Sequence, residues 1–176
     1  MTGEERQLRE AVLKYLQEHN TMVLASSTDN IPWSCAIFYA SDSFSFYFLS
    51  SKNTRHAQYM SSNNRVSATI TEDYKDWTKI KGIQLEGVAK LLTDDEDKMK
   101  AIKVYLSKYP FVHPFLAKIM APFPSVFSLL QKLARALPNM PDLAATPADF
   151  YRIDPEHVWF VDNERGLGTR KEVSVK

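Results

Sequence analysis

The sequence has a single cysteine, almost no net charge and no long uninterrupted apolar segment. Because Cys35 is the only cysteine among 176 residues, an intramolecular disulfide is excluded, and a reducing compartment such as the cytoplasm is expected. The 22 basic and 21 acidic residues leave a net charge of +1, which gives no general positive field for nucleic acid. We therefore expect a cytoplasmic protein without a nucleic-acid partner.

The sequence also lacks the patterns of a membrane span and of a signal peptide. The most apolar region, 111–130, is interrupted by Lys118 and by three prolines, and falls short of the ~20 apolar residues of a membrane helix. The polar N-terminus has no basic segment followed by an apolar run. With 44% hydrophobic residues, the composition predicts one globular domain over 1–176.

Six short segments rich in β-branched and aromatic residues predict a meander of strands. They lie at 21–28, 31–40, 44–50, 65–72, 80–92 and 149–163. Gly82 and Gly87 predict a bulge or a close backbone approach in the fifth segment, and Asp154–Pro155 predicts a turn in the sixth. The pattern favours a mainly β fold, an antiparallel barrel with helices added.

Helices are predicted at the N-terminus and between the strands. Thr2 and Glu5 fit a capping box for a helix over 2–20. The sequence TDDE at 93–96 predicts a second capping box, which opens a helix to about Tyr109. The remaining helical segments are a short one at 55–61 and a proline-rich insert at about 110–147.

The stretch SSKNTRHAQ, residues 50–58, follows an apolar strand with a cluster of hydroxyl and basic side chains. Thr54 can cap a helix that begins at Arg55, which leaves N–H groups and the positive end of the helix dipole for an anion. Arg55 can bind a phosphate through two parallel hydrogen bonds, and Lys52 adds a charge. Two interpretations remain open on the residues alone: a phosphate socket, and an ordinary capped turn with solvated charges.

Three motifs in this order resemble the pyridoxamine 5'-phosphate oxidase-like family of FMN-binding split barrels. They are FLSSKNTRHAQYMSSNNRVSATI (48–70), IKGIQLEGVAKLL (80–92) and VDNERGLGTRK (161–171). Within these motifs, NTRHAQ, KGIQL and the C-terminal segment are most similar to the uncharacterised bacterial YhbP-type branch. The resemblance covers about 5–92 and 150–172, and it implies an antiparallel split β-barrel with helices at the N-terminus and between the last strands.

The resemblance also implies a homodimer with FMN bound in the groove between the subunits. In this family the flavin phosphate would be bound by Arg55 and His56. The flavin ring would lie along the backbone of the second predicted strand, and a residue of the fifth predicted strand would reach the ring edge or the ribityl chain. The residues implied to bind the cofactor are Ser34, Cys35, Ala36, Ile37, Leu49, Ser50, Ser51, Lys52, Thr54, Arg55, His56, Gly82 and Gln84.

The sequence departs from the family pattern at two places. His56 stands where many members have lysine, and since the charge of a histidine is lost near neutral pH, phosphate binding is expected to weaken as pH rises. The oxidase's own substrate-binding motifs near the C-terminus are not recognisable, so oxidation of pyridoxamine phosphate is not implied. By analogy with a basic C-terminal residue of the oxidases, Arg170 and Lys171 are expected to reach the neighbouring subunit's cofactor.

The main functional hypothesis is an FMN-dependent oxidoreductase that exchanges hydride with an unidentified small molecule, with no catalytic side chain assigned. Two alternatives stay open: a protein that binds flavin, the deazaflavin F420 or haem without turnover, and a dimerisation module with an empty groove. His19, His113 and His157 lack metal-ligand spacing, so no metal is expected. Cys35 has no base in any motif and is interpreted as a core or groove residue. One of the tryptophans could wall the flavin pocket; they are Trp33, Trp77 and Trp159.

Overall fold

The structure is a computed structural model, and it describes residues 1–112 and 148–175. The strands of these residues are β1 Thr21–Thr28, β2 Ile31–Phe38, β3 Ala40–Asp42, β4 Ser45–Ser50, β5 Arg65–Thr71, β6 Lys81–Leu91, β7 Asp149–Asp162 and β8 Arg170–Glu172. The helices are α1 Gly3–Glu18, α2 Arg55–Ser62 and α3 Asp95–Lys108. Nearly all of the predicted insert at 110–147 lies outside the described residues.

All the described strands belong to one antiparallel sheet. Their order is β2-β1-β5-β6-β7-β4-β3, with β8 paired to β7. The sheet curls around an apolar core that α1 and α2 help to close. A second apolar cluster lies between α3 and the β3–β4 side of the sheet. The predicted mainly β architecture is therefore confirmed. Six of the strands lie within a few residues of the predicted segments, whereas β3 and β8 were not predicted as strands.

The hairpin between β1 and β2 sets the register of the sheet's edge. Its two turn residues, Asp29 and Asn30, have φ values of 50° and 60°, the left-handed conformation that a two-residue hairpin of this kind requires. Residue types that tolerate this conformation stand at both positions. With Thr28 opposite Ile31, the pairing continues without a break along both strands.

The central strands have two unlike faces, because successive side chains point to opposite sides of a sheet. The inner face is apolar and buried, as in the paired row Leu24, Ala68, Leu85 and Val158. The outer face is mixed and partly exposed, as in the adjacent row Val23, Thr69, Gln84 and Trp159. Among the described residues, no helix covers this outer row. Its side chains are therefore less buried than those of the inner row.

A bulge, and not a turn, occurs at Asp154–Pro155. Strand β7 is continuous there, and the register shifts because Glu156 has no partner between the pairs that Glu86 and Gly87 form. Gly87 is required at this point, since a Cβ would lie 2.4 Å from the Asp154 carbonyl oxygen. The predicted turn is wrong. A proline has no N–H to donate to the neighbouring strand, and a β-bulge accommodates such a residue without ending the strand. The predicted close approach at Gly87 is confirmed.

The predicted capping box of α1 is confirmed. The Glu5 amide donates to Thr2 Oγ1 at 3.2 Å, and the Thr2 amide donates to Glu5 Oε2 at 2.6 Å. The helix then buries one apolar stripe against the inner face of the sheet. Its buried members are Val12, Tyr15 and Leu16.

Helix α3 begins one residue later than the predicted capping box at 93–96. Its N-cap is Asp94, whose carboxylate accepts hydrogen bonds from the amides of Glu96 and Asp97 at 2.9 and 3.1 Å. That box is therefore wrong: an aspartate that can accept from two amides at once supplies the cap instead of the threonine. Over residues 1–112 and 148–175, no helix is long and apolar enough to cross a membrane.

Candidate functional site

The turn between β4 and α2 is closed by the hydroxyl group of Thr54. This hydroxyl donates to the Ser51 carbonyl at 2.8 Å and accepts from the Ala57 amide at 3.4 Å, so it caps the helix. The predicted helix start at Arg55 is confirmed. The first N–H groups of α2 have no acceptor within the helix itself, as at any helix start, and this is the feature that favours an anion.

Arg55 places an oriented positive charge at the start of α2. Its Cζ atom lies 4.4 Å from the centroid of the Trp33 ring and 5.1 Å from that of the Tyr59 ring. Its Nε and Nη2 atoms donate to the Tyr59 hydroxyl at 2.9 and 2.7 Å. Within 1–112 and 148–175, no carboxylate pairs with this guanidinium. The side chain is exposed, so its charge is available to a ligand.

His56 points into the protein, where it holds the turn together. Its Nε2 atom lies 2.6 Å from Ser50 Oγ and 3.1 Å from Thr54 Oγ1, and its Nδ1 atom lies 3.4 Å from Cys35 Sγ. Only 8% of the residue is exposed, and burial lowers the pKa of the imidazole below its ordinary value. The ring is therefore neutral at pH 7, and its contact with a phosphate stays a prediction.

The remaining residues of the turn are less constrained. Lys52 Nζ lies 3.5 Å from Asp149 Oδ2 in an exposed pair, which contributes at most about 1 kcal/mol and can be exchanged for another anion. The Ser51 hydroxyl accepts weakly from the Asn53 amide at 3.3 Å. Leu49 packs against the α3 cluster. Lys52 also borders a cavity of about 660 Å³ between α2 and the end of β6.

Strand β2 is the strand that the resemblance assigns to the flavin ring, and this assignment stays a prediction. It is an edge strand of the described sheet, so half of its backbone groups have no strand partner there. Cys35 and Ile37 pack toward the inner core, whereas Ser34 and Ala36 are exposed on the outer face. A planar ligand along this edge would meet the free backbone groups first.

Gly82 and Gln84 lie in a separate groove on the outer face. This groove has a volume of about 410 Å³, and its wall includes Tyr74 and Ile80. Gln84 Oε1 accepts a hydrogen bond from Arg170 Nη1 at 3.1 Å. Gln84 lies three strand positions, about 14 Å, from β2. No residue of the β4–α2 turn lines this groove.

Sequence reasoning missed two partners that shape this region. Tyr59 was not predicted to orient Arg55, although its position four residues later on the same helix is the spacing at which side chains meet. Arg170 was expected near a neighbouring subunit, and in its own chain it reaches Gln84. Lys171 Nζ lies 2.6 Å from Glu4 Oε1. No local signal links these last residues, since the pairs are far apart in sequence.

The histidines that were considered as metal ligands have other partners. His19 stacks on Tyr15 with ring centroids 3.7 Å apart and bonds Glu72 at 2.7 Å. His157 bonds Glu172 at 2.6 Å, and His113 lies outside the described residues. In the part of the chain that the structure describes, no cluster of three or more side chains is arranged to hold a metal ion.

A family model described as pyridoxamine 5'-phosphate oxidase matches residues 8–132, well over half of the chain. The chain belongs to the pyridoxamine 5'-phosphate oxidase family. This member of the family also has a relative named UPF0306 protein in Haemophilus ducreyi. The two are 32% identical over 103 residues, which are 57% of this chain and 70% of the relative. The family resemblance predicted from the motifs is confirmed.

Solved structures share the fold of this family member at low sequence identity. A Listeria innocua protein assigned by name to pyridoxamine 5'-phosphate oxidase has a TM-score of 0.58 at 16% identity, over 88% of this chain and 98% of its own. An FAD-binding protein from Mesorhizobium loti has a TM-score of 0.56 at 20% identity, over 94% of both chains. A heme-binding protein from Mycobacterium smegmatis has a TM-score of 0.61 at 15% identity, over 92% of this chain and 57% of its own. These similarities confirm the split-barrel fold.

Proposed function

We propose that the protein is an FMN-binding flavoprotein that acts as a homodimer and exchanges hydride with a small-molecule substrate. The observation that carries this proposal is Arg55, whose guanidinium is exposed, oriented by two aromatic rings, and without a carboxylate partner in 1–112 and 148–175. An unneutralised cation of this kind beside a capped helix start favours a phosphate group. The family membership and the FAD-binding neighbour in Mesorhizobium loti support a flavin as the bearer of that phosphate.

The side chains of the turn fit the phosphate of FMN. Tyr59 accepts from Nε and Nη2 of Arg55, and within the described residues Nη1 has no partner and is available to a ligand. Lys52 can move from its weak pair with Asp149 to add a second charge. The hydroxyl groups of Ser50 and Thr54 are already bonded to each other and to His56, so they fix the shape of the turn.

His56 contributes rigidity to this phosphate site, and Arg55 contributes the charge. Because burial holds the pKa of His56 below its ordinary value, the imidazole carries no charge to lose above pH 7. Affinity for a phosphate is therefore expected to change little between pH 7 and 9. This expectation replaces the weakening with pH that a solvent-exposed histidine at position 56 would produce.

The free edge of β2 and the groove at Gln84 fit the remainder of the cofactor. Backbone groups along the edge strand can donate to and accept from the ring, and Gln84 and Arg170 offer an amide and a guanidinium. When bound, FMN supplies a two-electron hydride carrier. The chain's own residues bind and orient it, and no described side chain is assigned the role of a general base.

A second copy of the chain is proposed to cover the outer face. Val23 and Phe38 are 42% and 52% exposed there, and large apolar side chains grouped on one face mark an interaction surface. Within one chain, the residues that line the groove at Gln84 do not include those of the turn at Arg55. A dimer with two-fold symmetry can bring the groove of one protomer to the turn of the other.

The proposal is tested by the visible absorption spectrum of the full chain, as purified and after FMN is added and the excess removed. We expect a flavin spectrum that stays with the protein. Arg55→Ala is expected to weaken FMN binding by roughly 10- to 100-fold, because a charge-assisted hydrogen bond contributes about 1.5–3 kcal/mol. Arg65→Ala is the matched control, since Arg65 is an exposed arginine that pairs with Glu156 at 2.6 Å elsewhere on the surface.

Two results would contradict the proposal. A protein that stays colourless after FMN is added would show that it does not bind the flavin. Equal losses of FMN affinity in Arg55→Ala and Arg65→Ala would show that the turn does not bind the phosphate. A Soret band on addition of haem would instead favour the haem-binding alternative. That alternative is the weaker one on present observations, because both ring nitrogens of His56 are already bonded inside the protein.

A further inference from the structure

We propose that Cys35 and His56 form a thiol–base pair, and that this pair makes Cys35 a site of covalent exchange with small anionic disulfides. The two residues lie 21 positions apart, and the fold brings Cys35 Sγ to 3.4 Å from His56 Nδ1. The sequence contains no local motif that supplies Cys35 with a base, whereas the packing of α2 against β2 does so. The inference stands independently of the flavin proposal, since neither side chain is needed there as a catalyst.

The hydrogen bonds around His56 fix which nitrogen carries its proton. Thr54 donates its single hydroxyl proton to the Ser51 carbonyl at 2.8 Å, so Thr54 Oγ1 can only accept from its other neighbours. Nε2 of His56 lies 3.1 Å from this oxygen, and it avoids a contact between two acceptors only if it carries the proton. We therefore assign the proton to Nε2, with Ser50 Oγ at 2.6 Å as the second acceptor.

This assignment leaves an unprotonated Nδ1 facing the thiol, which is the geometry a general base needs. Burial lowers the pKa of His56 and raises the pKa of Cys35, so both groups are neutral at rest. Among the described residues, the hydrogen-bond partners of His56 are the Ser50 and Thr54 hydroxyls and the Cys35 thiol, none of them charged, and its charged neighbour in sequence is Arg55. The thiol is therefore a poor nucleophile until His56 removes its proton during attack.

The surroundings of Cys35 determine which disulfides react with it. Cys35 packs against the inner core but remains partly exposed, and the unpaired edge of β2 is the side from which a small molecule would approach it. Trp33 is two residues earlier on the same strand and holds the Arg55 guanidinium against its ring, so this positive charge lies on the same face of β2 as Cys35. The pair therefore favours a small disulfide that carries carboxylate groups over a neutral one.

The exchange is balanced without any further reactant. His56 Nδ1 takes the thiol proton as Sγ attacks one sulfur of the small disulfide. The bond between the two small-molecule sulfurs breaks as the bond from Sγ forms. The leaving group departs as a thiolate, and the proton on the imidazolium passes to it or, where the leaving thiol is acidic, to solvent. Cys35 is oxidised to a mixed disulfide, and the departing sulfur is reduced.

The test is the reaction of the full chain with the dianionic disulfide 5,5'-dithiobis(2-nitrobenzoate), followed as release of the coloured thiolate from pH 5.5 to 9.5. Because Cys35 is the only cysteine in the chain, all release reports on this one residue. We expect the rate constant to level off above the pKa of His56, whereas an isolated thiol reacts about tenfold faster with each pH unit up to its own pKa. His56→Gln should lose the plateau and react at least tenfold more slowly at pH 7.

The control is His157→Gln, which removes an exposed histidine bonded to Glu172 far from the thiol and should leave the profile unchanged. A wild-type rate that rises without a plateau up to pH 9 would overturn the proposal, and so would a His56→Gln protein that keeps the plateau. The wild-type profile decides the question even if the His56 variant fails to fold. Equal rates with a neutral disulfide, 2-hydroxyethyl disulfide, normalised for leaving-group acidity, would overturn the preference for anionic reagents.

Discussion

The two faces of the same strands have opposite properties in this protein. On β1, Leu24 is fully buried, whereas its neighbour Val23 is 42% exposed. The inner face carries apolar side chains in register across four strands, and the outer face carries an assortment of apolar, hydroxyl and charged groups. The inner face therefore determines the fold, whereas the outer face and the sheet edge hold the groups that remain available to ligands.

The candidate site lies at the boundary between these two surfaces. His56 is anchored to the inner side through Cys35, and its neighbour Arg55 is exposed to solvent. Gln84 and Arg170 are on the outer face. Substitutions on the inner face should therefore change stability, and substitutions outside it should change binding with little effect on folding.

The largest effect is expected from substituting the two neighbours on β1. Leu24→Ala removes a fully buried side chain and should lower the free energy of unfolding by about 2–5 kcal/mol. Val23→Ala should lower it by less than about 0.5 kcal/mol in the monomer, because 42% of this residue is already exposed. Urea denaturation at low, matched protein concentrations measures both. Equal losses would contradict the difference between the two faces.

The next largest effect is expected at the bulge. Gly87→Ala should lower the free energy of unfolding by about 1–3 kcal/mol, because the new Cβ would lie 2.4 Å from a backbone oxygen of β7 that cannot move freely. Gly3→Ala is the matched control, since nothing lies within 4 Å of a Cβ at that position. Thermal denaturation compares the two variants, and a Gly87→Ala protein as stable as Gly3→Ala would show that β7 adjusts its bulge.

A smaller effect is expected from acid. The folded-state pKa of His56 is lowered by burial, so the unfolded chain takes up a proton first, near pH 6.5, as pH falls. This residue should therefore remove up to about 1.4 kcal/mol of stability per pH unit between pH 6.5 and its lower folded-state pKa. Comparing denaturation curves of the wild type and His56→Gln at pH 7.5 and 5.5 measures it. A wild type that gains stability on acidification relative to the variant would contradict the burial argument.

The smallest effect is expected on the outer face. Arg170→Ala removes an exposed hydrogen bond to Gln84 and should change the free energy of unfolding by less than about 0.5 kcal/mol. The same variant should weaken FMN binding if the groove at Gln84 contacts the cofactor. Flavin titration of Arg170→Ala beside Lys171→Ala, whose lysine pairs with Glu4, distinguishes the two basic residues. Identical affinities in both variants and the wild type would exclude Arg170 from the site.

The sequence predicted those features that depend on neighbouring residues. The capping box at Thr2, the helix start after Thr54 and the close approach at Gly87 each follow from residue type and short spacing. The turn predicted at Asp154–Pro155 failed because the same dipeptide also suits a bulge, and only the pairing with β6 decides between them. Local patterns contain no information about that partner.

The parts of the candidate site that sequence reasoning missed depend on contacts between distant residues. Cys35 and His56 belong to different elements, as do Gln84 and Arg170, and neither pair has a motif of its own. The inward direction of His56 follows from the Ser50 and Thr54 hydroxyls that bond its ring, whereas Ser50 was predicted as a phosphate donor and Thr54 as a helix cap. The residue types in the sequence were enough to locate the candidate site. The contact that each side chain makes there depends on packing between distant residues.

The length of the hairpin loop between β1 and β2 has one further consequence. Because the Asp29–Asn30 loop has just two residues, Cys35 is paired with Leu24 and its thiol faces the histidine. An insertion or deletion of one residue would rotate every side chain of β2 to the opposite face and exchange Cys35 with Ser34. A related chain could therefore keep both the cysteine and the histidine and still lose their contact, through a change in loop length alone.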